Sequence, residues 1–575
     1  MRLLELDSVD DDPVTKSSVR GVSSTAPSRP TGTSASNRSM SMANGSTLTP
    51  TTTNLIDTTL ARTNTSTSPV DVSDKTLYPF RVKHLGHETY TLYATRVEDR
   101  RLWCENIMEA KTKHAAALFR QNAEPFTLRV IADAAFANDS WTGHQKSVLI
   151  KGTSLSRAID EVDRRFAHMA KPVPICRAKV NCATTFSQAD GRMKTLVGTD
   201  YGVYLCDSGG VRDWIRVLTS PRVTQLAVLE DFNLLILISD KALIAHNLDV
   251  VCPMGGNVGA APTTPQSAAR KPPQKLSGQR DVAFFSIGKM KDRTLIFYKK
   301  KEGLQSIFKI LEPVLSRSST AAMRSASLGR TNSSRIHGST ETFREYDDFT
   351  ISTDCTDISL FTSSIVVATT RGFEVLNLDK KTPFAIPNLD ATHTIAVARR
   401  LEGLAPVGMF RLPAEESTAA GARMNSFSGT TSTYSNHHGT NGTAAADAAA
   451  EFILVYEECA IYVNKNGEIS RSVHMEFVGK AKAAALVSGF LVLCDHDFVE
   501  VRDAQTGRLK QIIAGREVRC LDDGRAGGTQ GTGGGMSMTM ANDGAARTVK
   551  IAMQHPELER YQIVVELVAN MGVLR

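Results

Sequence analysis

Aromatic residues are scarce in this chain of 575 residues: Phe, Tyr and Trp make up 6%, with three tryptophans in all. Aromatics supply much of the buried area of a folded domain, so this share implies that part of the chain builds no core. A dominant charge is missing too. Lys and Arg number 67 against 60 Asp and Glu, a surplus of +7 spread over the whole length. That is not the concentrated basic surface of a nucleic-acid binder, and no nucleic acid is expected as a partner. Long apolar runs are absent. The most apolar stretch, residues 232–238, is far too short to span a bilayer, so no transmembrane segment is expected. Residues 1–12 alternate leucine with acids and lack the basic start and apolar run of a signal peptide. The nine cysteines run from Cys104 to Cys520 without a C-x-x-C, and the pair Cys176 and Cys182 has no matching pair to complete a zinc site. Reduced, mostly buried thiols in a cytoplasmic protein are expected.

Catalytic signatures are also missing. There is no Gly-x-Ser-x-Gly and no His-Glu-x-x-His. The glycine run 527–535 lacks the Gly-Lys-Ser/Thr ending of a phosphate loop and reads as a flexible insertion. His84 and His87 have ligand-like spacing but no companions, and Asp495-His-Asp497 reads as a hairpin turn. No catalytic residue, metal site or cofactor is expected.

What is present is a run of short strands. Residues 1–9 read as one strand. Residues 13–74, dominated by Ser, Thr, Asn, Pro and Gly, cannot bury enough surface to offset backbone ordering and read as disordered. Residues 78–84 and 90–93 form a hairpin about Gly86. Thr95 and Glu98 have capping-box spacing, and the helix after them carries Leu102, Trp103, Ile107 and Ala110 on one face to about Leu118. Residues 126–136 and 147–150 could add strands and 155–168 a short helix, within a connecting segment 121–174. From residue 175 onward, apolar β runs alternate with turns, interrupted by low-complexity stretches near 253–279, 316–339, 414–448 and 522–545. Removing these leaves roughly 280 strand-rich residues, enough for about six or seven four-stranded blades. A weak repeat agrees. Leu196-Val-Gly-Thr-Asp-Tyr-Gly-Val-Tyr-Leu205 and Val366-Val-Ala-Thr-Thr-Arg-Gly-Phe-Glu-Val-Leu376 share an apolar strand, a Thr turn, a glycine and a second strand.

These segments carry a resemblance. Val180-Asn-Cys-Ala183, residues 196–204, Val223-Thr-Gln-Leu-Ala-Val-Leu229 and residues 234–238 resemble the start of a citron homology (CNH) domain. His555-Pro-Glu-Leu-Glu-Arg-Tyr-Gln-Ile-Val-Val-Glu-Leu-Val568 is similar to that family's closing segment in fungal proteins. Upstream, residues 78–93 and the helix with Trp103 resemble the second half of a pleckstrin homology domain. The order resembles the C-terminal part of fungal Rho guanine nucleotide exchange factors. The implied fold is mainly β: a seven-bladed β-propeller over 175–570, preceded by a partial pleckstrin homology barrel (1–12 and 75–120) with a C-terminal helix, and long disordered insertions. In that family Trp103 would pack the helix over the open end of the barrel. The all-helical Dbl homology domain that performs exchange is absent, and the chain starts inside the barrel unit. A fragment, a truncated gene model or one product of a split locus is therefore expected.

The implied function is regulatory and scaffolding, not enzymatic. The chain would act through a Rho-family small GTPase or its regulators, in cell-wall integrity and actin polarity, with recruitment to the plasma membrane or cell cortex. A stand-alone CNH adaptor binding small GTPases or trafficking tethers is the alternative. Arg81 and Lys83 share a strand face, with His84 beside them. They are candidate contacts for a phosphoinositide, or else a solvated basic face. Ser316–Arg335 repeats Arg near Ser and could be a phosphorylated loop.

Overall fold

A computed structural model describes residues 3–15, 76–141, 148–171, 173–188, 190–253, 272–278, 280–303, 305–314, 343–389, 394–413, 450–525 and 548–572. Most of the low-complexity stretches, and all of 316–339, lie outside these residues. The chain divides into two compact units. The smaller holds Val9–Arg81 and Thr91–Glu105, and the larger Met1–Ser8, Val82–Tyr90 and Asn106–Arg575.

Strands β1 (Leu4–Ser8), β2 (Val14–Thr15), β3 (Thr76–His84) and β4 (Thr89–Ala94) form a four-stranded sheet in which β3 pairs with each of the others. Val14 and Thr15, read from sequence as the edge of the disordered stretch, pair antiparallel with Leu77 and Thr76. Helix α1 (Val97–Arg120) follows. Its capping box does not form as expected: Thr95 and Arg96 reach Asp99 rather than Glu98. Its buried stripe also differs from the expected one. Cys104, Lys111 and Ala115 are buried, whereas Leu102 and Trp103 are 58% and 60% exposed. Trp103 therefore stands off the buried stripe. The i, i+7, i+11 spacing of the buried residues turns positions 102 and 103 off that stripe. A lysine in the stripe hid it from an apolar reading.

Among the described residues, the larger unit holds seven four-stranded antiparallel sheets. Sheet I is β6 (Val180–Ser187), β7 (Met193–Thr199), β8 (Gly202–Asp207) and β9 (Ile215–Leu218). Sheet II is β10 (Val223–Leu229), β11 (Leu234–Ser239), β12 (Ala242–Asn247) and β13 (Gln274–Lys275). Sheet III is β14 (Val282–Met290), β15 (Arg293–Glu302), β16 (Gln305–Pro313) and β17 (Phe343–Ile351). Sheet IV is β18 (Cys355–Leu360), β19 (Ile365–Thr369), β20 (Gly372–Leu376) and β21 (Phe384–Ile386). Sheet V is β22 (Pro406–Arg411), β23 (Glu451–Tyr456), β24 (Cys459–Asn464) and β25 (Met475–Glu476). Sheet VI is β26 (Ala483–Val487), β27 (Phe490–Cys494), β28 (Phe498–Asp503) and β29 (Leu509–Ala514).

Sheet VII takes its strands from both ends of the unit. It comprises β30 (Arg519–Asp522), β31 (Lys550–Gln554), β32 (Tyr561–Ala569) and, beside β32, β5 (Phe126–Ala137). The connecting segment 121–174 thus supplies a strand of the sheet array. It also supplies helix α2 (Ser154–Arg165), begun by Thr153 accepting from the Ser156 amide at 3.3 Å. Leu155, Ile159 and Val162 of α2 join Phe126, Leu128 and Val130 in one apolar cluster.

Seven apolar clusters lie between the sheets. Six join each sheet to the next in sequence. The seventh joins sheet VII to sheet I through Phe136, Val564, Val180 and Tyr204, so the packing is cyclic. Phe136 meets Tyr204 and Trp214 edge to face at 5.6 and 5.3 Å. Side-chain amides tie neighbouring sheets as well. Gln225 donates to the Phe285 carbonyl at 2.6 Å and accepts from its amide at 2.9 Å. Gln511 grips Phe126 in the same two-pronged way.

The repeat seen in sequence is one hairpin used twice. Thr199 and Thr369 each accept from the amide two residues on and donate to the carbonyl of Gly202 or Gly372. Those glycines sit at φ +146° and +128°, which L side chains rarely adopt.

Candidate interaction surfaces

The candidate lipid contacts are already engaged. Arg81 makes a two-pronged pair with Asp11 at 2.8 and 3.0 Å, in the smaller unit. Lys83, in the larger unit, donates to Asp497 at 2.5 Å. Burial pushes the Asp497 carboxyl up, but hydrogen bonds from Lys83 and His496 outweigh it and hold the group below the usual carboxylate range. Asp495 and Asp497 shape the β27–β28 turn, as their sequence suggested: the Asp497 amide donates to Asp495 at 3.0 Å. His84 and His87 lie ring to ring, with centroids 4.5 Å apart. Among the described residues no group of three or more His, Cys, Asp and Glu could hold a metal. No described helix is long and apolar enough to cross a membrane. All nine cysteines are free, eight of them buried.

In the smaller unit, Leu92, Tyr93, Val97, Leu102 and Trp103 are all more than 40% exposed. Every residue of β4 except Ala94 is exposed, so both faces of this strand meet solvent. Exposed strands rich in aromatics are pairing surfaces. Sequence reasoning missed this surface because it assigned Leu102 and Trp103 to a core.

In the larger unit, a cavity of about 120 Å³ lies among β1, the later turns of α1, the residues before α2, and β29. Its walls are mostly apolar, and ion pairs stand at its margins. Lys111 is 7% exposed and binds Glu5 and the Leu4 carbonyl. Arg516 pairs with Asp7 at 2.5 Å, and Arg157 with Glu124 at 2.7 Å. Burial raises the Glu5 carboxyl more than Lys111 lowers it. The hairpin turn at Gly86 (φ +76°) closes against the segment between β25 and β26 so tightly that a Cβ there would lie 1.9 Å from the Val478 carbonyl oxygen.

The first strands of the sheets meet one another across the array. Arg525, just after β30, donates to Asp357 of β18 at 3.0 Å and to the Ala484 carbonyl of β26 at 3.3 Å. Its guanidinium carbon stands 4.8 Å over the ring of Phe410 in β22, and its Nε lies 2.7 Å from Asp523. One side chain thus touches sheets IV, V and VI. Nearby, Lys550 (1% exposed) pairs with Asp522 (8%) at 3.0 Å and donates to the Thr548 carbonyl at 3.1 Å. These groups link the first strands of sheets IV, V and VI to the end of β30.

The CNH domain family matches residues 191–424 and 430–524, more than half of the chain. The chain is 27% identical over 494 residues to Rho1 guanine nucleotide exchange factor 3 of Schizosaccharomyces pombe, covering 81% of this chain and 34% of that protein. It is 26% identical over 465 residues to Rho1 guanine nucleotide exchange factor 1 of the same yeast, covering 80% and 27%. It therefore spans about a third or less of the length of these relatives. Among solved structures, the AfRom2 CNH domain is 22% identical, with a TM-score of 0.45, over 68% of this chain and 95% of that one. The protein belongs to the CNH domain family and is homologous to fungal Rho1 guanine nucleotide exchange factors.

Proposed function

We propose that this chain is the regulatory and scaffolding region of a Rho-type guanine nucleotide exchange factor, and that its seven sheets form a seven-bladed β-propeller presenting loops to a Rho-family GTPase or its regulators. The observation that carries this reading is the likeness to Rho1 exchange factors over 81% of the chain, well beyond the CNH match. The cyclic packing of seven clusters supports the propeller. The segment ahead of it is the later part of a pleckstrin homology barrel. The exposed faces of β4, with Leu92 and Trp103 nearby in sequence, are the surface that further barrel strands of a longer protein would cover.

The mechanism is recruitment and positioning. Nucleotide exchange would come from a separate helical domain. A cortical phosphoinositide would reach Arg81 by displacing Asp11 in the smaller unit, or Lys83, with His84 alongside, by displacing Asp497 in the larger. Two measurements test the reading. Release of fluorescent GDP from a Rho-family GTPase should be no faster with this chain than without it. Pull-down of that GTPase, or of its regulators, by the chain should succeed. Robust exchange by the chain alone, or capture of vesicle-tethering subunits with no Rho-pathway protein, would overturn it.

A further inference from the structure

The turns at one end of sheets II to IV carry more cations than carboxylates. Asp240, in the β11–β12 turn, is held by two guanidiniums, Arg222 before β10 and Arg280 before β14, the latter at 2.6 Å. Lys241 stands beside it, exposed. Asp354, before β18, is held by Lys299 and Lys301 of β15, the latter at 3.3 Å. These cations keep both carboxyls below the usual carboxylate range, the hydrogen bonds from Arg222 and Lys299 weighing most. Backbone bonds join the turns into one arc. The Asp240 amide donates to the Arg222 carbonyl at 3.3 Å, the Val282 amide to that of Lys241 at 3.0 Å, and the Thr370 amide to that of Asp354 at 3.1 Å. The neighbouring described acids have their own partners. Asp281 faces Lys300 at 3.7 Å, Asp200 accepts from Asn181 at 2.8 Å, and Glu374 lies near Arg371. Two carboxylates thus face five cations, of which Arg222, Arg280 and Lys301 are 69%, 71% and 59% exposed.

We propose that this arc docks an acidic segment of a partner protein, whose Asp and Glu side chains take the remaining donors of Arg222, Arg280 and Lys301. Charge complementarity argues for the occupant. A carboxylate shared by two cations leaves positive charge unmatched, and a guanidinium that grips one carboxylate has N–H groups left for another. Such pairs across an interface steer encounter and fix register. An anionic bilayer fits less well. Asp240 and Asp354 interrupt the cations, so the arc offers discrete sites and not the unbroken positive cluster that draws a lipid surface. The proposal goes beyond the Rho reading and does not depend on it, since it rests on these side chains alone.

The test is fluorescence anisotropy with the full chain and a short labelled peptide of alternating Glu and Gly, beside its twin with Gln for Glu. Exposed ion pairs are individually weak, so several together should bind the Glu peptide about tenfold tighter than the twin at low salt, and the difference should shrink as salt rises. Arg280→Gln combined with Lys301→Gln should remove most of that difference. Asp240 keeps Arg222 and Asp354 keeps Lys299, so neither acid loses its last partner and the fold is not at risk. Lys465→Gln, which removes an exposed cation between β24 and β25, should leave the difference unchanged. Equal binding of the twins, an undiminished preference in the double variant, or an equal loss in Lys465→Gln would overturn the proposal. So would phosphatidylserine vesicles binding through Arg280 and Lys301 while the Glu peptide does not.

Discussion

Replacing Lys550 by methionine should destabilise the sheet array out of proportion to the volume lost. The ammonium is 1% exposed and is the counterion of Asp522, itself 8% exposed. Burial already raises the Asp522 carboxyl more than Lys550 lowers it, and Asp523 raises it further. Without Lys550, a buried carboxylate loses its partner, which costs about 3–5 kcal/mol. At about 2 °C per kcal/mol for a large domain, the melting temperature at neutral pH should fall by about 6–10 °C. The sign with pH follows from the raised carboxyl. The folded state holds its proton more tightly than the unfolded state, so stability is gained as pH falls through the raised value. Loss of Lys550 raises that value again, so the gap between variant and parent should narrow in acid. Converting both partners, Lys550→Met with Asp522→Leu, removes the charge from each side and should recover most of the loss. Thermal melts followed by circular dichroism at neutral and acid pH decide this. A fall under about 2 °C, or a double variant no better than the single, would refute the reasoning.

His555 is 3% exposed, and its Nδ1 accepts from the amides of Glu557 and Leu558 at 3.1 and 3.0 Å. Burial holds its pKa down at about 4, from an ordinary 6.5. Stability from this site is complete above pH 6.5 and should drain away toward pH 4, by about 3 kcal/mol in all. Melts of His555→Asn across that window should lack this slope. Gly202→Ala should cost more than Gly372→Ala, although both need positive φ, because only the first places a Cβ 2.2 Å from a carbonyl oxygen, that of Leu218. Each strained backbone costs about 1–3 kcal/mol, and urea unfolding of the pair would expose equal losses as a failure. Gly86→Ala drives a Cβ into the Val478 carbonyl, so amide exchange across residues 82–90 should quicken while sheets I to III keep their protection.

The inner strands were legible in the sequence and several outer ones were not. Leu234–Ser239 and Phe490–Cys494 are buried throughout and announce themselves as apolar runs. The fourth strands read poorly. Gln274–Lys275 and Met475–Glu476 have two residues each, and Phe343–Ile351 carries Arg, Glu and two Asp. An edge strand packs on one neighbour only, so its sequence need not alternate strongly. Arg81 and Lys83 stood out in the sequence as basic residues on one strand, yet the carboxylates that pair with them did not, because Asp497 lies 414 positions from Lys83.

The sequence alone determined the mainly β composition, the Thr-Gly hairpins and the family resemblance, because these rest on local pattern. Only the tertiary structure decided that β5 completes sheet VII, that Trp103 is exposed, and that Lys111 belongs to the buried stripe. Each depends on partners more than 100 positions away or on which helix face meets a neighbour, and periodicity along the chain does not encode either.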